Sequence, residues 1–128
     1  MKSTSIALAA LVMLGCSDPV APDPDAFGAL YRIQEVPDPP VLNGQTLEVT
    51  LEYGGCRNSH EFELRSRTTS PTSTDVWLRK TSPNEPCDML VVERRSFQVA
   101  SSAGSVRLLG PEGAAFILRS VTASSSTR

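Results

Sequence analysis

Apolar and polar residues alternate most regularly between Gln45 and Tyr53, where Leu47, Val49, Leu51 and Tyr53 are separated by Glu48, Thr50 and Glu52. A period of two puts the four apolar side chains on one face, which predicts a strand with one buried and one wet side. Asn43-Gly44 ahead of it is a turn dipeptide, and Gly54-Gly55 behind it lets the chain leave the sheet. His60 to Arg67 repeats the pattern: Phe62 and Leu64 share a side with His60, and Glu61, Glu63, Arg65 and Arg67 take the other. The four charges are expected as a solvated face, a better account of Glu61 and Glu63 than a carboxylate pair built for catalysis. Residues 66 to 74 around Pro71 are rich in Ser and Thr and are expected as a polar loop, after which Asp75 to Lys80 resumes as a strand with Val76 and Leu78 opposite Trp77 and Arg79.

Met89 to Val92 is apolar without alternation, which predicts a central strand covered on both faces. Phe97 and Val99 continue it beyond Arg94-Arg95-Ser96, a natural place for a bulge. Leu30 to Ile33 reads as a short first strand, interrupted by Pro37-Asp38-Pro39-Pro40, and Val106 to Leu109 with Ala114 to Val121 reads as a closing hairpin over Gly110 to Gly113. Beyond the first sixteen residues no helical stripe is present. The expected fold is all-β: a compact antiparallel β-sandwich or partial barrel of about 6–7 short strands with one disulfide, spanning residues 29–123 before a frayed tail at 124–128.

The start of the chain has a different pattern. Lys2 precedes an apolar run from Ile6 to Leu14, then Gly15 and Cys16. Nine apolar residues are too few to span a hydrocarbon core that needs about 20, so residues 1–15 are expected as a cleaved export signal rather than a membrane helix. Met13-Leu14-Gly15-Cys16 resembles the bacterial lipobox, with Met13 where that motif usually has Leu. The resemblance implies a palmitate-type covalent lipid on Cys16 and a bacterial cell envelope location facing the periplasm. Ser17, in the place after the lipidated Cys, implies the outer membrane. Residues Ser17 to Gly28, SDPVAPDPDAFG, are expected as a Pro/Asp-rich tether that lifts the domain some 35–40 Å at about 3.1 Å per residue.

Composition narrows the function classes. The 128 residues make one domain, and removing Lys2 with the signal leaves 11 basic against 14 acidic residues, a net charge of -3. That balance gives no reason to expect nucleic acid as a partner, and the seven aromatic residues are too few for a stacking platform. Ten of the twelve basic residues are Arg, but no cluster exceeds Arg94-Arg95.

With Cys16 taken by lipid, two cysteines remain, Cys56 and Cys87. In an exported chain such a pair predicts one disulfide. The sharper alternative takes Cys56, His60 and Cys87 as ligands for zinc or copper(I), with Met89 or an open position as the fourth; no Cys-x-x-Cys or His-x-His pair supports it. His60 is otherwise a partly buried residue whose ring caps the core and donates a hydrogen bond. A Ser-His-Asp device drawing on Ser59 with Asp75 or Asp88 lacks a G-x-S-x-G turn, so no catalytic residue is assigned. Trp77 with Arg79 marks a possible contact surface.

The segment Tyr53-Gly54-Gly55-Cys56-Arg57-Asn58-Ser59-His60-Glu61-Phe62-Glu63-Leu64, followed by Cys87, resembles a Gly-Gly-Cys, His-x-Phe-x-Leu pattern of small uncharacterised bacterial lipoproteins. The likeness covers about residues 45–92. Those relatives often continue into a Phe-Asp-Leu strand where this chain has Ser96-Phe97-Gln98-Val99. It implies compartment and fold and attaches no activity. The expectation is therefore a protein anchored to the membrane through lipid, acting by binding an envelope protein or small ligand or by structural support, with no cofactor besides the lipid on Cys16. The alternative is a metal-binding protein of the periplasm.

Overall fold

The structure is a computed structural model that describes residues 22–100 and 104–120. The export signal, Cys16, the first part of the tether and the tail lie outside the described residues. The strands are β1 (Arg32–Ile33), β2 (Val41–Asn43), β3 (Thr46–Gly54), β4 (Phe62–Ser70), β5 (Ser73–Lys80), β6 (Leu90–Gln98), β7 (Ser105–Leu109) and β8 (Ala115–Leu118). Short 3-10 turns occupy Pro24–Phe27 and Pro111–Gly113.

Two four-stranded sheets result. In the first, β3 lies between β6 on one side and β1 and β2 on the other, all antiparallel to it. The second has the order β4-β5-β7-β8. The alternation of β3 decides how they meet: Leu47, Val49, Leu51 and Tyr53 point inward and join Val76 and Leu78 of β5 and Val106 and Leu108 of β7 in one core. Each fully buried Leu or Val there contributes about 1.5–3 kcal/mol. The fold is all-β with one disulfide, as the sequence predicts.

Several details differ from expectation. Among the described residues the strands number eight, because Val41–Asn43, too short to show a period, pairs with β3 across the Gly44 turn. The sandwich is not wholly antiparallel. β5 and β7 run parallel from Ser73↔Ser105 to Trp77↔Leu109, and β6, lying in the opposite sheet, forms part of the crossover that a parallel pair requires. Nor is β6 central. Its other edge is unpaired among the described residues, Leu90 and Val92 face solvent, and its nine pairs with β3 run without a bulge at Arg94-Arg95-Ser96. The polar stretch 66–74 is not a loop: β4 extends to Ser70, Pro71 and Thr72 make the turn, and β5 starts at Ser73. Hydrogen bonding to β5 rather than burial holds Ser66 to Thr68 in the strand, with a register shift between Thr68 and Ser70, so no apolar period marks it.

The end of the expected tether is part of the folded body. Phe27 is buried, Gly28 forms a parallel bridge with Lys80, and the Ala29 N–H donates to the Lys80 carbonyl at 3.1 Å. Gly28 is required there, because φ is +71° and an added Cβ would fall 2.2 Å from the Lys80 oxygen. β7 stops opposite Trp77, and residues 28–29 take over the vacated edge of β5. Tyr31 then donates its hydroxyl hydrogen to the Leu78 carbonyl at 2.6 Å as the chain crosses to the first sheet. The body thus begins at Pro24 rather than Ala29.

This placement gives a stability prediction. Phe27→Ala should lower the unfolding free energy by about 3 kcal/mol, whereas Leu30→Ala, at an exposed position, should change it by less than about 0.5 kcal/mol. Urea unfolding of the two variants checks the contrast, and equal small effects would return residues 24–28 to the tether.

Candidate functional site

The loops 55–61 and 81–89 leave β3 and β5 at the same end of the sandwich. Cys56 lies in one and Cys87 in the other, 31 residues apart, and their sulfurs are bonded with Cα atoms 4.9 Å apart. Glu85 reinforces this closure. Its carboxylate accepts the Cys56 N–H at 2.6 Å and Arg57 Nε–H at 3.0 Å, and it lies 3.3 Å from His60 Nε2. The Cys56 N–H above all, helped by Arg57 and His60, holds the Glu85 carboxyl below the usual carboxylate range. Two further bonds tie the loops: the Glu61 N–H donates to Ser82 Oγ at 2.7 Å, and the Thr81 N–H to the Glu61 carbonyl at 2.9 Å.

His60 sits under this closure, fully buried, its ring stacked on Tyr53 with centroids 4.6 Å apart and planes at 26°. Gly55 makes room for it, since a Cβ there would come within 2.9 Å of the imidazole. The ring is more buried than expected and makes no hydrogen bond among the described residues: Nδ1 has no partner, and the approach of Nε2 to Glu85 lacks hydrogen-bond alignment. Stacking and shape, rather than the expected donated hydrogen bond, position it.

The groups around the ring hold the loops and each other. Tyr53 donates its hydroxyl hydrogen to Glu93 at 2.8 Å and accepts the His60 N–H at 3.2 Å, with burial as the main cause raising its pKa. Arg95 donates to the His60 carbonyl and lies 5.5 Å from the centre of the Phe62 ring. Lys80, nearly inaccessible, donates from Nζ to the Ser82 carbonyl at 3.0 Å and lies 5.4 Å from the Tyr53 ring centre. Burial pushes its ammonium below the usual lysine range, and the charge of Glu85 partly restores it.

The structure therefore brings Cys56, His60 and Cys87 to one end of the fold, with both sulfurs in one covalent bond. The thiolate pair that zinc or copper(I) would need is absent in this state. No group of three His, Cys, Asp or Glu side chains that could hold a metal ion occurs among the described residues.

Trp77 and Arg79 share the outer face of the second sheet and alternate with inward Val76 and Leu78, and Trp77 also packs against the edge of the core. Trp77 is half-buried, with the Arg67 guanidinium 6.0 Å from its ring centre, and Arg79 is exposed. Beside them Asp75 is completely buried between Arg107, which binds it through two hydrogen bonds of 2.8 Å, and Arg67 at 3.2 Å. The Arg107 bonds are the main cause holding the Asp75 carboxyl below its usual range. Glu85 and Asp75 thus carry structural charge that the sequence alone does not single out. Glu85 lies in a proline-bounded stretch that reads as punctuation, and the pairing of Asp75 depends on the parallel register of β5 with β7.

Comparison with protein-family models, with curated proteins and with solved structures found no match.

The two depressed carboxylates set an acid limit. A pKa lowered on folding contributes stability that is present above the ordinary value of about 4 and is lost as pH falls through the folded value. Asp75→Asn should lower stability at neutral pH by about 2 kcal/mol, less than for a fully buried pair because both arginines are partly exposed, and should flatten the loss below about pH 4. Urea unfolding from neutral pH into acid checks this; a variant as acid-sensitive as the parent contradicts it.

Proposed function

We propose that the chain is a lipid-anchored protein of the bacterial cell envelope, held to the outer membrane through Cys16, that acts by binding or structural support rather than by catalysis. The observation carrying the reading is the solvent-exposed disulfide of Cys56 and Cys87 on a chain that opens with Lys2, an apolar run and Met13-Leu14-Gly15-Cys16. An exposed disulfide suits an oxidising compartment, and the opening residues suit export and acylation. Glu85, Tyr53, Arg95 and Lys80 all contact the backbone or rings of the loops they close, which supports a structural role for that end. Trp77 and Arg79 offer a surface for an envelope protein or small ligand.

Growth with radioactive fatty acid should label the protein, and Cys16→Ala should abolish the label. Intact mass should rise by about 2 Da on reduction as one bond takes up two hydrogens. A Cys16→Ala variant that labels like the parent would end the anchoring reading, and free thiols carrying zinc or copper would replace it with metal binding.

A further inference from the structure

Four of the six large apolar residues most exposed among the described residues lie in two neighbouring stretches: Leu30 is 80% exposed, Leu90 66%, Met89 56% and Val92 49%, while Val36 and Ile117 line neither of the clefts beside them. Leu30 and Leu90 line one shallow cleft of about 290 Å³ together with Arg32 and Glu52. Leu90 and Val92 are two residues apart on the outer face of β6, and Val92 pairs with Glu52. On its other side Leu30 borders a second cleft, of about 850 Å³, with Pro22, Phe27, Leu109 and Ala115. The two clefts share Leu30, Tyr31 and Glu112 and form one apolar region around Leu30, rimmed by Arg32 and Arg107 and by Asp23, Glu52, Glu85 and Glu112, and clustering of this kind marks a contact surface.

Chain length selects the occupant. Five residues lie between Cys16 and Pro22, six residue steps in all, and a chain extends at most about 3.6 Å per step, so the Cys16 backbone lies within about 22 Å of Pro22. Pro22 itself lines the larger cleft. The packing of residues 24–28 onto β5 removes the longer tether that the sequence suggests. A body of about 100 residues has a radius of gyration near 13 Å, so so short a leash keeps the Leu30 side of the body next to the bilayer.

We propose that Leu30, Met89, Leu90 and Val92 form a membrane-docking face, which seats the folded body on the lipid surface. This rests on the acylation of Cys16. The apolar side chains would enter the headgroup and acyl boundary to a depth of about 5–10 Å. Arg32, whose ion pair with Glu112 is loose at 3.9 Å, is placed to meet lipid phosphate at the rim. Docking orients the sandwich, with the Pro71-Thr72 turn at the opposite end of β5 from Gly28 and Lys80.

The test uses the mature acylated protein in vesicles of phosphatidylethanolamine and phosphatidylglycerol, made with and without lipid brominated along the acyl chain. Leu30→Trp and Thr69→Trp, both at exposed positions, are each placed in a Trp77→Phe background. Vesicle flotation and the mass of Cys16 confirm anchoring, and thermal unfolding confirms the fold. Bromine should remove about half or more of the Leu30→Trp emission, the loss expected for insertion to the acyl boundary, and leave Thr69→Trp unchanged. Acylated, floating protein with no selective quenching overturns the docking while leaving the anchor intact. Unquenched but blue-shifted Leu30→Trp emission with cross-linkable dimers assigns the face to a second copy and likewise overturns it. An unacylated Cys16 overturns the anchoring reading and the docking with it.

Discussion

The covalent bond from Cys56 to Cys87 closes two loops that have little apolar surface of their own, and His60 is buried beneath that closure. Loop 81–89 holds two prolines, Ser82, Asn84, Glu85 and Asp88, so hydrophobic burial alone gives it small reason to lie down on the domain. The chain-entropy model credits a closed loop of this length with about 3.5–4 kcal/mol, a large part of the roughly 5–15 kcal/mol that keeps a domain folded. Glu85 uses the constraint: with Cys56 held close, its carboxylate accepts that residue's N–H and reaches Arg57 and His60 as well.

Around this closure the layers follow from residue pattern. β3 was legible because Leu47, Val49, Leu51 and Tyr53 share one buried face while Glu48, Thr50 and Glu52 share the other. β6 misleads because an unbroken run, Met89 to Val92, suggests burial on two sides, whereas only Val91 of the four is buried. Three of the four apolar side chains are exposed, and nothing local distinguishes an apolar residue in a core from one on a contact face. The hairpin around Pro71 was hidden for the opposite reason: its Ser and Thr pair through the backbone and leave no apolar period.

The site was legible in part. The two cysteines were recoverable by count once Cys16 was set aside, and His60 was visible as an inward position beside Phe62 and Leu64. What escaped sequence reasoning depends on through-space register. Asp75 is only one polar residue on an alternating strand until β5 and β7 pair in parallel and bring Arg107 to it. Gly28 and Phe27 looked like tether because Pro, Asp and Gly dominate their surroundings, yet one aromatic ring and one close approach to Lys80 attach that segment to the body. This attachment shortens the stretch between Cys16 and the folded body, which would act as a leash under the proposed acylation of Cys16.

The disulfide's contribution is tested most directly by urea unfolding of the same protein with the Cys56–Cys87 bond intact and reduced, at neutral pH. Reduction should lower the unfolding free energy by about 3.5–4 kcal/mol. Superimposable curves for the oxidised and reduced protein would contradict it.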